Sequence, residues 1–396
     1  MMQISPETQL FIREHSSDDV RVLALQAKKY PDIDMPTAIT QIAGRKVAAE
    51  KIPSWWEIEK IWYPKHLSLE QCSSEITARY KARLLQGDSL TDLTGGFGID
   101  CSFLATGFKS ATYVERQEEL CEIAAHNFPV LNLNHINIKN EDGVTYLQVM
   151  SPVDCLFLDP ARRNEHGGKT VAISDCEPNV AELEELLLQK ANRVMIKLSP
   201  MLDLSLALKE LKQTQEVHIL SVNNECKELL ILLGQTSPAE ISIHCVNLFT
   251  KGTQKEQHFV FTREQEQCSE CTYTDSLETY LYEPNASLLK AGAFRSIAAA
   301  YPVRKLHPNS HLYTSDTFIE NFPGRIFRIV NQCSFNKKEV KENLADLKKA
   351  NVTVRNFPAT VAELRKRIHL AEGGDTYLFA STLNNGQKVI IRCEKV

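Results

Sequence analysis

The chain has no run of about eighteen apolar residues, so no membrane-spanning helix is expected. Met1 to Arg13 carries polar and acidic residues and no long apolar centre, which does not read as a secretory signal. A disulfide framework is missing too. The 11 cysteines are odd in number and scattered, and Cys155 and Cys245 sit inside apolar runs. That is how reduced, buried thiols are used, and the expected compartment is the cytoplasm. The lone Cys268-Ser269-Glu270-Cys271 lacks two further ligands in sequence, with His258 alone nearby, so no metal is expected. There are no internal repeats and no low-complexity segment. What remains is a chain of 396 residues, 43% hydrophobic and 24% charged, which suits two or three globular domains with ample core.

The stretch that organises the chain is Asp92-Leu93-Thr94-Gly95-Gly96-Phe97-Gly98-Ile99-Asp100. A short apolar run precedes it and a helical pattern follows. A strand that turns on glycines into a helix brings backbone N–H groups close to a ligand. About twenty residues on, Glu115 ends a second apolar run, a spacing that suits a carboxylate accepting hydrogen bonds from a ribose. Two cofactors compete for this pattern. A nicotinamide dinucleotide fingerprint wants a third glycine, and Cys101 stands there. S-adenosylmethionine (SAM) carries no pyrophosphate, and Asp92, Thr94, Gly96, Gly98 and Asp100 suit it without that glycine.

Strand order separates the two. From Ser89 to Gly234 strands at 90–93, 111–115, 135–138, 154–158 and 193–197 alternate with helices, which predicts a parallel sheet covered on both faces. The last two strands, 216–222 and 228–233, are joined by Asn223-Asn224-Glu225-Cys226-Lys227, too short for a crossover, so they must be antiparallel. A parallel sheet ending in an antiparallel hairpin belongs to class I SAM-dependent methyltransferases and tips the reading to SAM. The expected fold is therefore α/β with a Rossmann-like methyltransferase sheet at 76–236. A helical module at 1–75 precedes it, and an α+β domain at 237–396 follows. The end of the chain reads strand 325–330, helix 337–350, strand 352–356, helix 360–371, strands 376–381 and 387–394, a near ferredoxin-like order.

Ligands of such sheets lie beyond the C-terminal strand ends. Besides the glycine turn and Glu115, two clusters fall there. Asp142, in Asn140-Glu141-Asp142-Gly143, can accept the adenine amino group, although the same residues make a plain polar turn. Asp159-Pro160-Ala161-Arg162-Arg163 closes a buried strand with an acid where proline forces the chain to turn. Asp159, Pro160 and Arg162 are the expected catalytic residues, with Asp159 also facing the cofactor. Arg162 and Arg163 can clamp a phosphate or stack on a base, or pair with Glu165 or Glu177. Gln71, Ser74 and Thr77 are further candidates for the mouth of the site, although the sequence alone favours exposed polar residues there.

Together the glycine turn, Glu115, Asp159 to Arg163, Lys197-Leu198-Ser199-Pro200 and Glu283-Pro284-Asn285 resemble bacterial class I SAM-dependent methyltransferases with a THUMP-like C-terminal domain. The resemblance runs from about Gln71 to the end. It implies SAM as cofactor and RNA as substrate, since THUMP domains are associated with RNA. The loop ending in Asp100 is also similar, over a shorter stretch, to ribosomal-RNA guanine-N2 methyltransferases. Amino-group methyltransferases usually follow Asp/Asn-Pro-Pro with an aromatic, which Asp159-Pro160-Ala161-Arg162 lacks. Pyrimidine C5 transfer needs a cysteine thiolate after the fourth or fifth strand, where there is none, and Cys155 lies within a strand.

Charge supports a polyanion partner. Residues 285–396 hold 18 Lys/Arg against 9 Asp/Glu, a balance of +9, whereas the whole chain carries −5. The expected partner is RNA, bound through residues 285–396. The alternatives are a non-catalytic RNA-binding protein that keeps a SAM fold, or a methyltransferase of small molecules or proteins.

Overall fold

The central strands of the first sheet, 89–92, 153–158 and 191–198, are mostly buried, as parallel strands covered on both faces must be. In the computed structural model, which describes residues 4–162 and 172–396, the chain forms two compact units. One comprises Met1–Gln215 with Leu229–Pro238, the other Glu216–Glu228 with Ala239–Val396.

The first unit opens with helices α1 (Pro6–Glu14), α2 (Val20–Leu25), α3 (Met35–Lys51), α4 (Pro53–Trp56), α5 (His66–Gln71) and α6 (Glu75–Ala82). Local chemistry sets their starts. Ser5 accepts from the Thr8 N–H and Asp34 from the Thr37 N–H, satisfying donors that a helix leaves open, and Pro6 and Pro36 sit in the first turns. Phe11, Leu23, Met35, Ala38 and Ile42 form the core of α1 to α3.

The alternation follows: β1 (Ser89–Asp92), α7 (Ile99–Ala105), β2 (Ser110–Glu115), α8 (Glu118–Val130), β3 (Ile136–Asn140), α9 (Gly143–Val149) and β4 (Val153–Leu158). Then come a two-residue pair, β5 (Ala161–Arg162) with β6 (Cys176–Glu177), α10 (Val180–Lys190), β7 (Ala191–Leu198), α11 (Leu204–Glu210), β8 (Thr214–Val222) and β9 (Glu225–Gly234). Within this unit the sheet runs β9-β7-β4-β1-β2-β3. All neighbours are parallel except β9, which is antiparallel to β7. The expected hairpin is present and tighter than expected. Asn223 and Asn224, with φ of 49° and 68°, make a two-residue turn between β8 and β9. Positive φ at both centres suits the right-handed twist of the strands, and asparagine tolerates it. The methyltransferase-type sheet is thus as expected, and the β5–β6 pair is an addition.

In the second unit β8 pairs in parallel with β10 (Ser242–Leu248), which pairs antiparallel with β11 (Glu256–Thr262). Helix α12 (Arg263–Cys268) leads on to β12 (Tyr280–Pro284), α13 (Ala286–Ala291), α14 (Ser296–Ala300), β13 (Arg304–Lys305) and β14 (Tyr313–Ser315). The chain ends with β15 (Gly324–Ser334), α15 (Lys337–Leu344), β16 (Asn351–Val354), α16 (Val361–Ile368), β17 (Thr376–Thr382) and β18 (Lys388–Lys395). These strands form a sheet of order β13-β14-β12-β15-β18-β17-β16. The expected β-α-β-α-β-β run is present. Its helices are shorter than their periodicity suggested: α15 stops at Leu344 and α16 at Ile368, where His369 turns left-handed, and Leu347, Ala350 and Leu370 beyond them join the same core without helix.

The β3–α9 corner tests how tightly the first sheet is closed. A Cβ on Gly143 would lie 2.1 Å from the Leu93 carbonyl oxygen, a backbone atom that cannot swing away. Gly143→Ala should therefore destabilise the protein by about 1–3 kcal/mol, the usual cost of overpacking. Unchanged denaturant midpoints would show that this corner yields.

Candidate cofactor and acceptor site

Beyond Asp92 the chain leaves the sheet but stays tied to its neighbours. The Leu93 N–H donates to the Phe157 carbonyl at 3.0 Å and the Gly95 N–H to that of Val114 at 2.8 Å. Gly95 runs across the face of Tyr113, where a Cβ would stand 2.3 Å from a ring carbon. The Tyr113 hydroxyl donates to the Gly96 carbonyl at 2.5 Å. Gly96 and Gly98 then take φ of +54° and +86°, which L side chains resist. Phe97, between them, faces inward against Trp55 of α4 at 5.2 Å in an edge-on contact. The adjacent Trp56 is exposed beneath Arg45, whereas Trp55 is core.

Glu115 closes this turn. One carboxylate oxygen accepts from the Gly96 N–H and the other from the Gln117 N–H, both at 2.8 Å. A carboxylate has about four acceptor positions, so capacity remains for hydroxyl donors. Asp92 is buried with one oxygen accepting from the Thr94 N–H at 3.0 Å, and its other oxygen has no hydrogen-bond partner among the described residues. Desolvation, reinforced by Asp100, Asp159 and Glu115 nearby, pushes its pKa up to about 8.

The centre of the site is a network of charges. Lys81 of α6 is wholly buried, with its Nζ 2.8 Å from Asp100 Oδ1. Lys197, near the end of β7, lies 3.3 Å from Asp100 Oδ2 and 2.5 Å from Asp159 Oδ2. The Ser73 hydroxyl donates to Asp100 at 2.7 Å and accepts from Lys81 at 2.7 Å and Lys197 at 3.1 Å. Burial acts to raise the Asp100 pKa, but Lys81 and Lys197 outweigh it and bring it down to about 2. Asp159 is pushed up by desolvation ahead of the opposing pull of Lys197. About a third of its side chain is open, so water tempers that shift. Thr94 Oγ1 accepts from the Asp159 N–H at 2.6 Å and fixes the acid against the glycine turn.

Asp92, Thr94, Gly96, Gly98, Asp100, Glu115 and Asp159 are therefore brought together at the C-terminal ends of β1, β2 and β4. Pro160 is buried and turns the chain after Asp159. Asp142 caps α9, with one oxygen accepting from the Val144 and Thr145 N–H groups at 3.0 Å. The Arg162 side chain and all of Arg163 lie outside the described residues. Of the three candidates for the mouth, Ser74 and Thr77 bond to each other at 3.2 Å, and Gln71 ends α5. Reading by sequence missed Ser73 and Lys81, and gave Lys197, quoted within Lys197-Leu198-Ser199-Pro200, no role in the site. Lys197 did carry a signal, a cation closing the apolar run Val194-Met195-Ile196. A cavity of about 210 Å³ lined by Ser89, Pro152, Asp154 and Leu188 lies at the opposite ends of the strands and contributes nothing to this site.

The arrangement fits a cofactor with a cationic portion. Asp92 has a buried oxygen without a donor, and a Cβ on Gly96 would meet nothing closer than 3.8 Å, so the loop backbone is bare on that side.

Among solved structures, one of those similar to the chain matches it over its whole length. It is a candidate methyltransferase from Porphyromonas gingivalis W83, 34% identical, with all of both chains covered and a TM-score of 0.87. The chain belongs to that protein's family. Residues 280–323 match a ferredoxin-like domain family and residues 324–395 a THUMP domain-like family. This family is the one the motifs resembled, a class I methyltransferase fold with a THUMP-like C-terminal domain. Its ferredoxin-like label falls on 280–323, ahead of the β-α-β-α-β-β run. Partial likenesses include a modification subunit of a candidate type I restriction enzyme from Vibrio vulnificus YJ016 (12% identity, 51% of this chain and 56% of that one, TM-score 0.35). A ribosomal-RNA methylase from Streptococcus thermophilus is another (14%, 40% and 93%, TM-score 0.30). No curated protein matches.

Asp92 makes a pH prediction. Its folded pKa of about 8 lies above its unfolded value of 3.8, so between these limits unfolding releases a proton. Stability should then fall as pH rises, by up to about 1.4 kcal/mol per pH unit from this group. Asp92→Asn keeps the acceptor for Thr94 and removes the titration. In ligand-free denaturation from pH 5 to 8, the variant should gain on the wild type as pH rises. Parallel curves would mean that Asp92 is already ionised.

Proposed function

We propose that this protein is a SAM-dependent methyltransferase that acts on an RNA base. The observation that carries the reading is the meeting of two groups of residues. The glycine turn with Glu115 and the buried Asp92 suits a nucleoside and an ammonium group. Beside it, Asp159 presents a partly open carboxylate held from below by Lys197. When bound, SAM supplies a methyl group already activated on a sulfonium.

In this reading Glu115 holds ribose hydroxyls, Asp92 offers its unpartnered oxygen to an N–H donor, and Asp142 contributes its second oxygen at the adenine end. Thr94, Gly96 and Gly98 shape the loop. Asp100 acts through the lysines it binds. Asp159 accepts a hydrogen bond from the acceptor and aligns it, which is the main contribution a protein makes to such a transfer. Pro160 fixes the turn that aims Asp159, and Arg162 takes substrate phosphate or base. Cys72 is surrounded by Asp100, Lys81, Lys197 and Lys51, yet burial pushes its thiol up to about 11. It is therefore a poor nucleophile, which disfavours C5 transfer. RNA is favoured by the THUMP-like match and by the +9 balance of residues 285–396.

The direct test is transfer of a labelled methyl group from SAM to RNA from cells lacking the protein, followed by nucleoside analysis. Two variants separate the roles. Glu115→Ala should weaken SAM binding in calorimetry by about 1.5–3 kcal/mol, the worth of charge-assisted bonds. Asp159→Ala should bind SAM nearly normally and lose about a hundredfold or more in transfer. Asp159→Asn then asks whether charge or hydrogen bonding matters. Wild-type transfer by both Asp159 variants would remove the residue from the mechanism.

The RNA partner has its own test. Affinity should fall steeply with salt, because neutralised phosphates release counterions. Reversing Arg365, Lys366 and Arg367 to Glu should weaken binding and flatten that slope. An unaltered slope would take this end of α16 off the binding surface.

A further inference from the structure

We propose that Glu216, His218, His244 and His258 form a structural site for a divalent transition metal, zinc above all, within the second unit. The residues are dispersed over 216–258 and carry no sequence motif. Strand geometry assembles them. Glu216 and His218, two apart on β8, share one face of the sheet. His218 is in parallel register with His244 on β10. On β11, His258 pairs with Val246, two residues beyond His244, and so lies diagonal to it on that face. Three adjacent strands thus carry one carboxylate and three imidazoles on one face of the sheet.

The distances are short. His218 Nε2 lies 3.2 Å from Glu216 Oε2, and His244 Nδ1 lies 3.2 Å from His258 Nε2. Ligand atoms of Glu216, His218 and His244 all fall within 4.8 Å of one another. Tetrahedral zinc, with bonds near 2.0–2.1 Å, holds its ligand atoms roughly 3.3 Å apart. Glu216, His218 and His244 thus have about 1.5 Å or less to contract, and His258 adjoins them through His244. The rings of His218 and His244 now stack, 4.3 Å apart, as do those of His244 and His258 at 5.3 Å. Ligation requires them to turn out of the stack. His258 is exposed and His244 half-buried, so both have room.

Three imidazole nitrogens with one carboxylate oxygen select zinc, nickel, cobalt or copper over magnesium and calcium, which want oxygen ligands. Four protein ligands leave no open position, which is the pattern of a structural ion. It would staple β8, β10 and β11.

The test uses the full chain without a histidine tag, stripped with a chelator and titrated with zinc chloride at pH 7.5. One equivalent should bind and raise the melting temperature. His258→Gln, at an exposed position, and His244→Gln should each weaken zinc binding by about tenfold or more. Circular dichroism should show both folded. X-ray absorption should give nitrogen and oxygen ligands only, and Cys268→Ser/Cys271→Ser should bind zinc as the wild type does. Absence of binding, binding indifferent to both histidine variants, or sulfur among the ligands would each overturn the proposal.

Discussion

The burial of Lys81 constrains everything around it. A wholly buried ammonium costs several kcal/mol in lost hydration unless charge and hydrogen bonds replace the water. Asp100 and Ser73 supply the replacement, and the same two side chains also hold Lys197. The network therefore ties α6, α7 and β7 together and ends at Asp159 beyond β4. Such buried ion networks are weak arguments for stability, because apolar residues of equal volume often do as well. Their use is to fix geometry. Here the fixed element is a carboxylate that remains partly open at the strand ends, with a cation 2.5 Å behind it.

The N-terminal helices gain a role from this arrangement. They are not an appendage to the sheet. Trp55 packs on Phe97 of the glycine turn, and the loop before α6 delivers Ser73 to Asp100. Asn127 of α8 bonds the backbone of Trp62 through both its amide oxygen and nitrogen. A turn with two positive-φ glycines has little rigidity of its own. Its shape comes from what packs on each side: Tyr113 beneath Gly95 and Trp55 against Phe97.

Much of this was legible in the chain. The strand and helix periods, the short β8–β9 connection and the closing β-α-β-α-β-β run each rest on local patterning, and each is present. Asp92, the glycines, Glu115 and Asp159 were legible because strand-end positions are set by the same patterning. The lysines were not, because Lys197 meets Asp100 across 97 positions and Ser73 across 124. A lysine on a helix reads as exposed until something buries it. The histidine cluster escaped for a related reason: its ligands come from three strands, and only register brings them together.

Formal charge overstates what the second unit offers a polyanion. Glu283 is buried between Arg325 and Arg355, while Arg328 pairs with Glu394 and Arg392 with Asp346. Within α16, Arg365 lies 3.6 Å from Glu372 and Arg367 stacks over Phe335 at 4.0 Å. Lys337, Lys338, Lys341, Lys348 and Lys349 differ: all five are exposed and make no ion pair among the described residues. Each phosphate neutralised on a single strand contributes about 0.7 to the salt slope. An exposed lysine contributes it without first breaking an internal pair. Helix α15 and the turn after it thus offer five lysines held in no ion pair among the described residues, interspersed with Glu339, Glu342 and Asp346, and α16 adds chiefly Lys366.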